Sequence, residues 1–207
     1  MVQRRTDADC VPMKMLADTM EVSPGTATSM AKHLATLGLV DYQPRQGVIL
    51  SAAGRSLAIR IVRRHRLIET FLEQVLNYDW SEVHTDAEEL EHVVSDRFVE
   101  RIEALLGYPE FDPHGDPIPR LDGTFATQDL LGLDTITTGQ IAEIARLVDS
   151  RSDLLDILKE HDVMPGRRVE VLEHNEATAS MRIRAGNDGK PLSLSYDVAA
   201  SIMVLRP

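Results

Sequence analysis

Residues 84–92 read His-Thr-Asp-Ala-Glu-Glu-Leu-Glu-His. On a helix, His84, Glu88, Glu91 and His92 follow i, i+4, i+7, i+8 spacing and share one face, while Glu89 points away. That face carries two imidazoles and two carboxylates. His65 and Glu69 form a second i, i+4 pair in the preceding helical segment. Packed together, two such helices can enclose a cation with mixed nitrogen and oxygen ligands. The plain alternative for each residue alone is a structural histidine or a solvated carboxylate. The shared spacing of six such groups favours a metal site.

The elements that must position these groups come from the rest of the chain. It has 207 residues, 43% of them hydrophobic and only 4% aromatic, so its cores must be built mostly of Leu, Ile, Val, Ala and Met. Cys10 is the only cysteine, which excludes an intrachain disulfide. No apolar run approaches the length of a membrane span, and the N-terminus has no signal-peptide apolar region. The expectation is a cytoplasmic protein with no membrane association and no organic cofactor. The formal net charge is −11, but residues 1–64 carry +4, residues 65–125 carry −11 and residues 126–207 carry −4. A basic head can meet phosphates while an acidic middle collects cations.

Met13–Glu21 and Thr26–Leu37 are short amphipathic helices joined by Ser-Pro-Gly, with Ser23 or Thr26 as the cap and Gly38 as the stop. This is the pattern of a helix-turn-helix, whose second helix enters the DNA major groove. Ser23, Thr26, Thr28, Ser29 and Lys32 are the polar positions around its start. Leu39–Tyr42 and Gly47–Ser51 are β-like and flank Gln43-Pro44-Arg45-Gln46, a wing with a basic tip in which Arg45 would reach phosphate or the minor groove. A helical hairpin alone need not bind DNA; the hairpin and basic wing together point to double-stranded DNA.

Ala52–Leu76 is predicted as one helix that begins basic, with Arg55, Arg60, Arg63, Arg64 and Arg66. At least half of these arginines are expected on a solvated face. Ser81–Leu106 is predicted as another long helix, capped by Ser81, with an apolar stripe at Leu90, Val93, Val94, Phe98, Ile102 and Leu105 suited to a two-fold homodimer seam. A dimer matches a palindromic operator. Pro109, Pro113, Pro117 and Pro119 make the following stretch a linker or extended strap. Beyond it, Gly139–Val148, Arg168–Glu173, Thr178–Ala185 and Leu192–Tyr196 read as strands with one helix at Ser152–His161, giving a small barrel of about five strands. The fold class is α+β, with a winged helix-turn-helix over 1–64, a helical metal-binding and dimerisation domain over 65–125, and an SH3-like domain over 126–207.

Five stretches now carry a resemblance: Leu16-Ala17 through Glu21-Val22-Ser23-Pro24-Gly25-Thr26; Leu37-Gly38-Leu39-Val40; Arg64-His65-Arg66-Leu67-Ile68-Glu69; Val83-His84 through Glu91-His92-Val93-Val94-Ser95-Asp96; and Asp112-Pro113-His114-Gly115-Asp116-Pro117-Ile118-Pro119. The chain resembles the diphtheria toxin repressor family of iron- and manganese-dependent transcription repressors over about residues 12–122. Its C-terminal part is similar to the FeoA-like SH3 domain of many members. The resemblance implies a metal-activated dimer that represses metal-uptake genes. It places Glu88, Glu91 and His92 on the primary metal site and His65, Glu69 and His84 on the neighbouring one. Glu88 stands where iron-type members carry cysteine, and a carboxylate there favours a harder ion, Mn²⁺ alongside Fe²⁺. The residues before Met13 do not match the family's first N-terminal helix, which supplies one further ligand. Asp149 and Asp153 are candidate stand-ins for ligands that the SH3-like domain offers in iron-type members, with plain solvated carboxylates the favoured reading.

Two other classes compete with a regulator. One is a metal-dependent enzyme using the same His/Glu cluster, which turnover would reveal. The other is an adaptor without DNA binding, which specific duplex binding would exclude. The sequence has no H-E-x-x-H, P-loop or dinucleotide glycine pattern.

Overall fold

Ser23 starts the best-defined local element. Its side-chain oxygen accepts from the Thr26 amide at 3.1 Å, and Pro24 opens the helix where its missing N–H costs nothing. Such a cap contributes about 1 kcal/mol. The computed structural model describes residues 10–80, 82–148, 151–186 and 188–206. Contacts divide the chain into two compact units, one ending at Val62 and one beginning at Arg63.

In the first unit, α1 (Met13–Thr19) and α2 (Pro24–Thr36) form the helix-turn-helix, with Ala17, Ala27 and Ala31 buried. Small residues let the two helices approach closely. Strands β1 (Val40–Gln43) and β2 (Gly47–Leu50) pair antiparallel as the wing. Val11 adds a third edge: its N–H donates to the Val48 carbonyl at 2.8 Å and its carbonyl accepts from Val48 at 3.0 Å. Gly47 allows this, because a Cβ there would lie 2.1 Å from the Val11 oxygen and its φ is +141°. Helix α3 (Ala52–Leu76) begins against the wing's root, where a Cβ on Gly54 would lie 1.8 Å from the Leu39 oxygen.

The second unit holds the rest of α3, then α4 (Val83–Glu91) and α5 (Asp96–Leu105). Leu67, Ile68, Leu72, Val83, Ala87, Ile102 and Ile118 form their shared core. The single long helix expected over Ser81–Leu106 is two helices. Ser95 takes extended backbone and caps α5 by accepting from the Phe98 amide at 3.2 Å, so the break is a local capping decision that apolar periodicity hides. Ser81 itself lies outside the described residues.

The C-terminal sheet has six strands rather than about five, in the order β3-β8-β4-β5-β6-β7: β3 (Leu130–Gly132), β4 (Ile141–Leu147), β5 (Arg168–Asn175), β6 (Ser180–Ala185), β7 (Leu192–Ser195) and β8 (Ile202–Leu205). Helix α6 (Ser152–Glu160) lies between β4 and β5, and the short α7 (Tyr196–Ser201) between β7 and β8. The extra strands β3 and β8 have three and four residues, too short for an alternating pattern to reveal. The sheet curls around Leu133, Ile144, Val169, Val171, Ile183, Ile202 and Val204. Trp80, from the connector between α3 and α4, belongs to this same core.

Candidate metal centre

α3 and α4 pack so that the two histidine–carboxylate faces meet. His65 Nε2 lies 3.0 Å from Glu69 Oε1 and 3.0 Å from His84 Nδ1, and Glu69 Oε1 lies 3.1 Å from His84 Nδ1. Three donor atoms thus form a nearly equilateral triangle. An octahedral ion with bonds of about 2.1 Å sets neighbouring ligand atoms about 3.0 Å apart, whereas a tetrahedral zinc site asks for about 3.3 Å. The same spacing serves hydrogen bonds between the side chains when no ion is bound, so the donors suit both situations.

The other nitrogen of His65, Nδ1, lies 2.8 Å from Glu91 Oε2. A carboxylate on the far side of an imidazole fixes its tautomer and orientation. Arg64 steadies this arrangement by donating from Nη1 to the Glu91 carbonyl at 2.9 Å and by pairing with Asp96. Glu69 and Glu91 are buried, whereas the side chain of His84 is about half exposed. Burial pushes the Glu69 carboxyl up, but hydrogen bonds from His65 and His84 outweigh it and hold it at about 2. Burial pulls His65 down, and the neighbouring Glu69 and Glu91 more than compensate, so its pKa is raised above 6.5.

His65, Glu69, His84 and Glu91 are therefore brought together. His92, at the C-cap of α4, is exposed, with Nε2 3.5 Å from Glu91 Oε1. Glu88 lies on the exposed face of α4, outside the triangle. Of the stand-in carboxylates, Asp149 lies outside the described residues, and exposed Asp153 accepts from the Leu154 amide at 2.9 Å.

A second cluster was missed by sequence reasoning. Glu69, Asp112 and His114 are all buried, and each offers a ligand atom within 4.8 Å of the others. Asp112 and His114 sit on the proline-rich strap. Asp112 Oδ1 accepts from the His114 and Asp116 amides, both at 2.9 Å. His114 Nε2 donates to the Trp80 carbonyl at 3.1 Å, which leaves Nδ1 as an acceptor. Burial lowers the pKa of His114 and so keeps it neutral. Burial, with the charges of Asp116 and Glu69, raises Asp112 well above the usual carboxylate value. The signal available beforehand was the Asp-Pro-His-Gly-Asp-Pro run itself, a histidine between two aspartates in a segment whose prolines restrict the backbone.

The arginines at the α3 midpoint turn inward. Arg63 donates to the Pro119 carbonyl at 2.5 Å and pairs with Glu103, and Arg66 donates to the Pro117 carbonyl at 2.6 Å. Together with Arg64, these side chains bind the helical region rather than a solvated face.

On the winged helix, Thr26, Ser29 and Lys32 are exposed along the start of α2, and Arg45 is exposed at the wing turn with φ +69°. The Ser23 and Thr26 hydroxyls pair at 2.8 Å, and the half-buried Thr28 donates its hydroxyl to the Pro24 carbonyl at 2.8 Å. Among the described residues no helix is long and apolar enough to cross a membrane.

Comparison with known proteins brings these parts together. Residues 4–48 match the model of an iron-dependent repressor N-terminal DNA-binding domain. Residues 51–120 match that of an iron-dependent repressor metal-binding and dimerisation domain, and residues 131–206 match a FeoA domain. A solved manganese-dependent transcriptional repressor in complex with manganese is 39% identical, with a TM-score of 0.85, over 98% of this chain and 94% of that one. The iron-dependent repressor IdeR of Mycobacterium leprae (strain TN) is 29% identical over 91% of this chain and 86% of its own length. The diphtheria toxin repressor of Corynebacterium diphtheriae (strain ATCC 700971 / NCTC 13129 / Biotype gravis) is 27% identical over the same shares, 91% and 86%.

Proposed function

Because the chain belongs to the diphtheria toxin repressor family of iron- and manganese-dependent transcription repressors, we propose that it is a metal-dependent DNA-binding repressor whose switch is the cluster where α3 meets α4. The family consists of repressors, not enzymes. Residues 1–64 read DNA, residues 65–125 bind metal and dimerise, and residues 126–207 form the FeoA-type domain. The observation that carries this reading is the triangle of His65 Nε2, Glu69 Oε1 and His84 Nδ1, with edges of 3.0–3.1 Å.

His65, Glu69 and His84 would hold a divalent ion, with Glu91 orienting His65 or joining the donor set, and Glu88 and His92 extending the site at its exposed rim. Glu69, Asp112 and His114 would hold a second ion. All these donors are nitrogen or carboxylate oxygen, without thiolate, which suits Mn²⁺ or Fe²⁺. When bound, the ion supplies the positive charge that lets these carboxylates and neutral imidazoles share one point. The residues do the rest. His65 and Glu69 hold α3, and His84 and Glu91 hold α4, so the donor set is complete only when the two helices keep this packing. That dependence gives the metal a higher affinity for one arrangement of the protein, which is what a switch requires.

Val93, Phe98 and Leu105 are exposed apolar residues between the end of α4 and the end of α5, and they support a homodimer through this face. A two-fold dimer presents two recognition helices to a palindromic operator upstream of metal-uptake genes, with Ser29, Lys32 and Arg45 as the accessible contacts and Thr26, Thr28 and Ser23 shaping the helix start. The protein would act in the cytoplasm.

The test is fluorescence anisotropy of a labelled fragment of its own promoter, at fixed salt, with Mn²⁺, with anaerobic Fe²⁺ and with chelator. Tightening on adding metal that survives competitor DNA is expected. Equal binding with and without metal would sink the switch and leave only a DNA-binding protein.

A further inference from the structure

Asp112 and His114 lie on a strap without regular secondary structure, yet both side chains are buried. Asp112 is held by Arg66 of α3 and by the strap's own amides, and the strap in turn is held by the barrel. The Leu147 amide on β4 donates to the His114 carbonyl at 2.9 Å. Gly115 has φ +82°, and a Cβ on it would lie 1.9 Å from the Ala145 carbonyl oxygen, so the strap runs backbone to backbone against β4. Arg146 Nε lies 2.6 Å from Asp116 Oδ1. Asp116 is also 3.7 Å from Arg66 Nη2, and Arg66 Nε is 3.4 Å from Asp112 Oδ2. Charges therefore alternate from β4 to the cluster: Arg146, Asp116, Arg66, Asp112.

The contact strand is also irregular at this point. β4 pairs with β8 through Ile144 opposite Val204 and Arg146 opposite Met203, which leaves Ala145 as the extra residue of a bulge. Bulges re-aim backbone groups, and this one lies where β4 meets the strap. From the other side, the Trp80 indole donates to the Pro113 carbonyl at 2.9 Å while its ring sits in the barrel core. Residues 113, 114, 115 and 116 are thus each tied to the barrel core or to β4.

We propose that Ala145, Arg146 and Leu147 of β4 are the positioning residues of the Glu69–Asp112–His114 cluster: the barrel holds Asp112 and His114 in place without contributing a ligand atom through these three residues. This rests on taking that cluster as a cation site. Supporting contacts of this kind typically change metal affinity by about 10- to 100-fold.

The full-length protein supplies its own reporter, since Trp80 is the only tryptophan and its ring centroid is 5.2 Å from that of His114. Mn²⁺ is titrated against Trp80 fluorescence and, in parallel, by calorimetry, for the wild type, Gly115→Ala, Arg146→Gln and Arg146→Lys. Hydrogen exchange of residues 112–118 is followed in the metal-free proteins. Gly115→Ala and Arg146→Gln are expected to speed that exchange and to weaken the Trp80-reported site by about tenfold or more, while the calorimetric site that depends on Glu91 stays within about twofold. Arg146→Lys should recover most of the affinity. Should Gly115→Ala fail to fold, the two Arg146 variants decide. A wild-type Trp80 response that persists unchanged in folded variants, with unchanged exchange, overturns the positioning role alone. A wild type in which Mn²⁺ binds by calorimetry but leaves Trp80 unmoved overturns the second cation site, and the positioning role with it.

Discussion

Two clusters share the Glu69 carboxylate and are built in opposite ways. His65, Glu69, His84 and Glu91 come from two regular helices, and one of them, His84, faces solvent over half its side-chain surface. Asp112 and His114 come from an irregular strap and are buried. In the first cluster the imidazole is biased toward protonation by its carboxylate neighbours, so a proton competes with a cation at His65. In the second, His114 is held neutral by burial, and the proton competitor is the raised Asp112 carboxyl. Helices thus present donors that can open to water, and the strap presents donors that are already desolvated. A buried donor set costs more to leave unpaired, so it depends more heavily on the contacts that surround it.

The residue both clusters use is Glu69. Glu69→Gln should abolish Mn²⁺ binding at both, lowering affinity about a hundredfold or more by calorimetry. Loss at one cluster with the other intact would show that Glu69 is not shared. Next in size, Glu91→Gln should weaken the helical cluster about tenfold and remove most of the metal response in promoter anisotropy, while the fold (by circular dichroism) and the Trp80-reported cluster are spared. Unchanged metal dependence would count against any role for Glu91.

A third effect is pH dependence. In a His114→Ala background only the helical cluster remains. Because the folded pKa of His65 is raised above 6.5, its Mn²⁺ affinity should begin to fall as pH drops through a midpoint above 6.5, by about tenfold per pH unit below that midpoint. A pH-independent affinity across that range would remove His65 from the donor set. The smallest effect concerns DNA alone. Arg45→Ala should reduce promoter affinity a few-fold, lower the salt slope by about 1 and leave metal affinity unchanged, separating the wing from both clusters.

The two clusters also differ in how far the chain's spelling announces them. His65 with Glu69, and His84 with Glu91, recur at helical intervals, so their common face is legible before any folding is known. The break at Ser95 is hidden because Val93, Val94, Phe98 and Ile102 continue an apolar pattern across it, and only a side-chain cap reveals the stop. Asp112 and His114 have no period to follow. Their burial is imposed by Arg66 of α3, by Trp80 and by β4, all distant in the chain, and nothing local in a proline-rich strap reports such packing. The inward turn of Arg63, Arg64 and Arg66 is hidden for a related reason. Their carbonyl and carboxylate partners lie 27–56 residues away, so the local sequence shows only a charged helix face. The helix-turn-helix is legible from helical spacing and the Ser-Pro-Gly turn, and the wing from two β-like runs flanking a basic tip, although Arg45 at φ +69° adopts a backbone its own preference does not announce.

The backbone of Val11 occupies the space that any side chain at position 47 would need. In a library carrying all twenty amino acids at that site, every replacement must either push Val11 off the wing or bend the turn beside Arg45. A changed charge at the tip leaves the wing's fold intact; the residue two positions later has no such freedom, and depletion of every variant but glycine there would trace the wing's third edge without a structure.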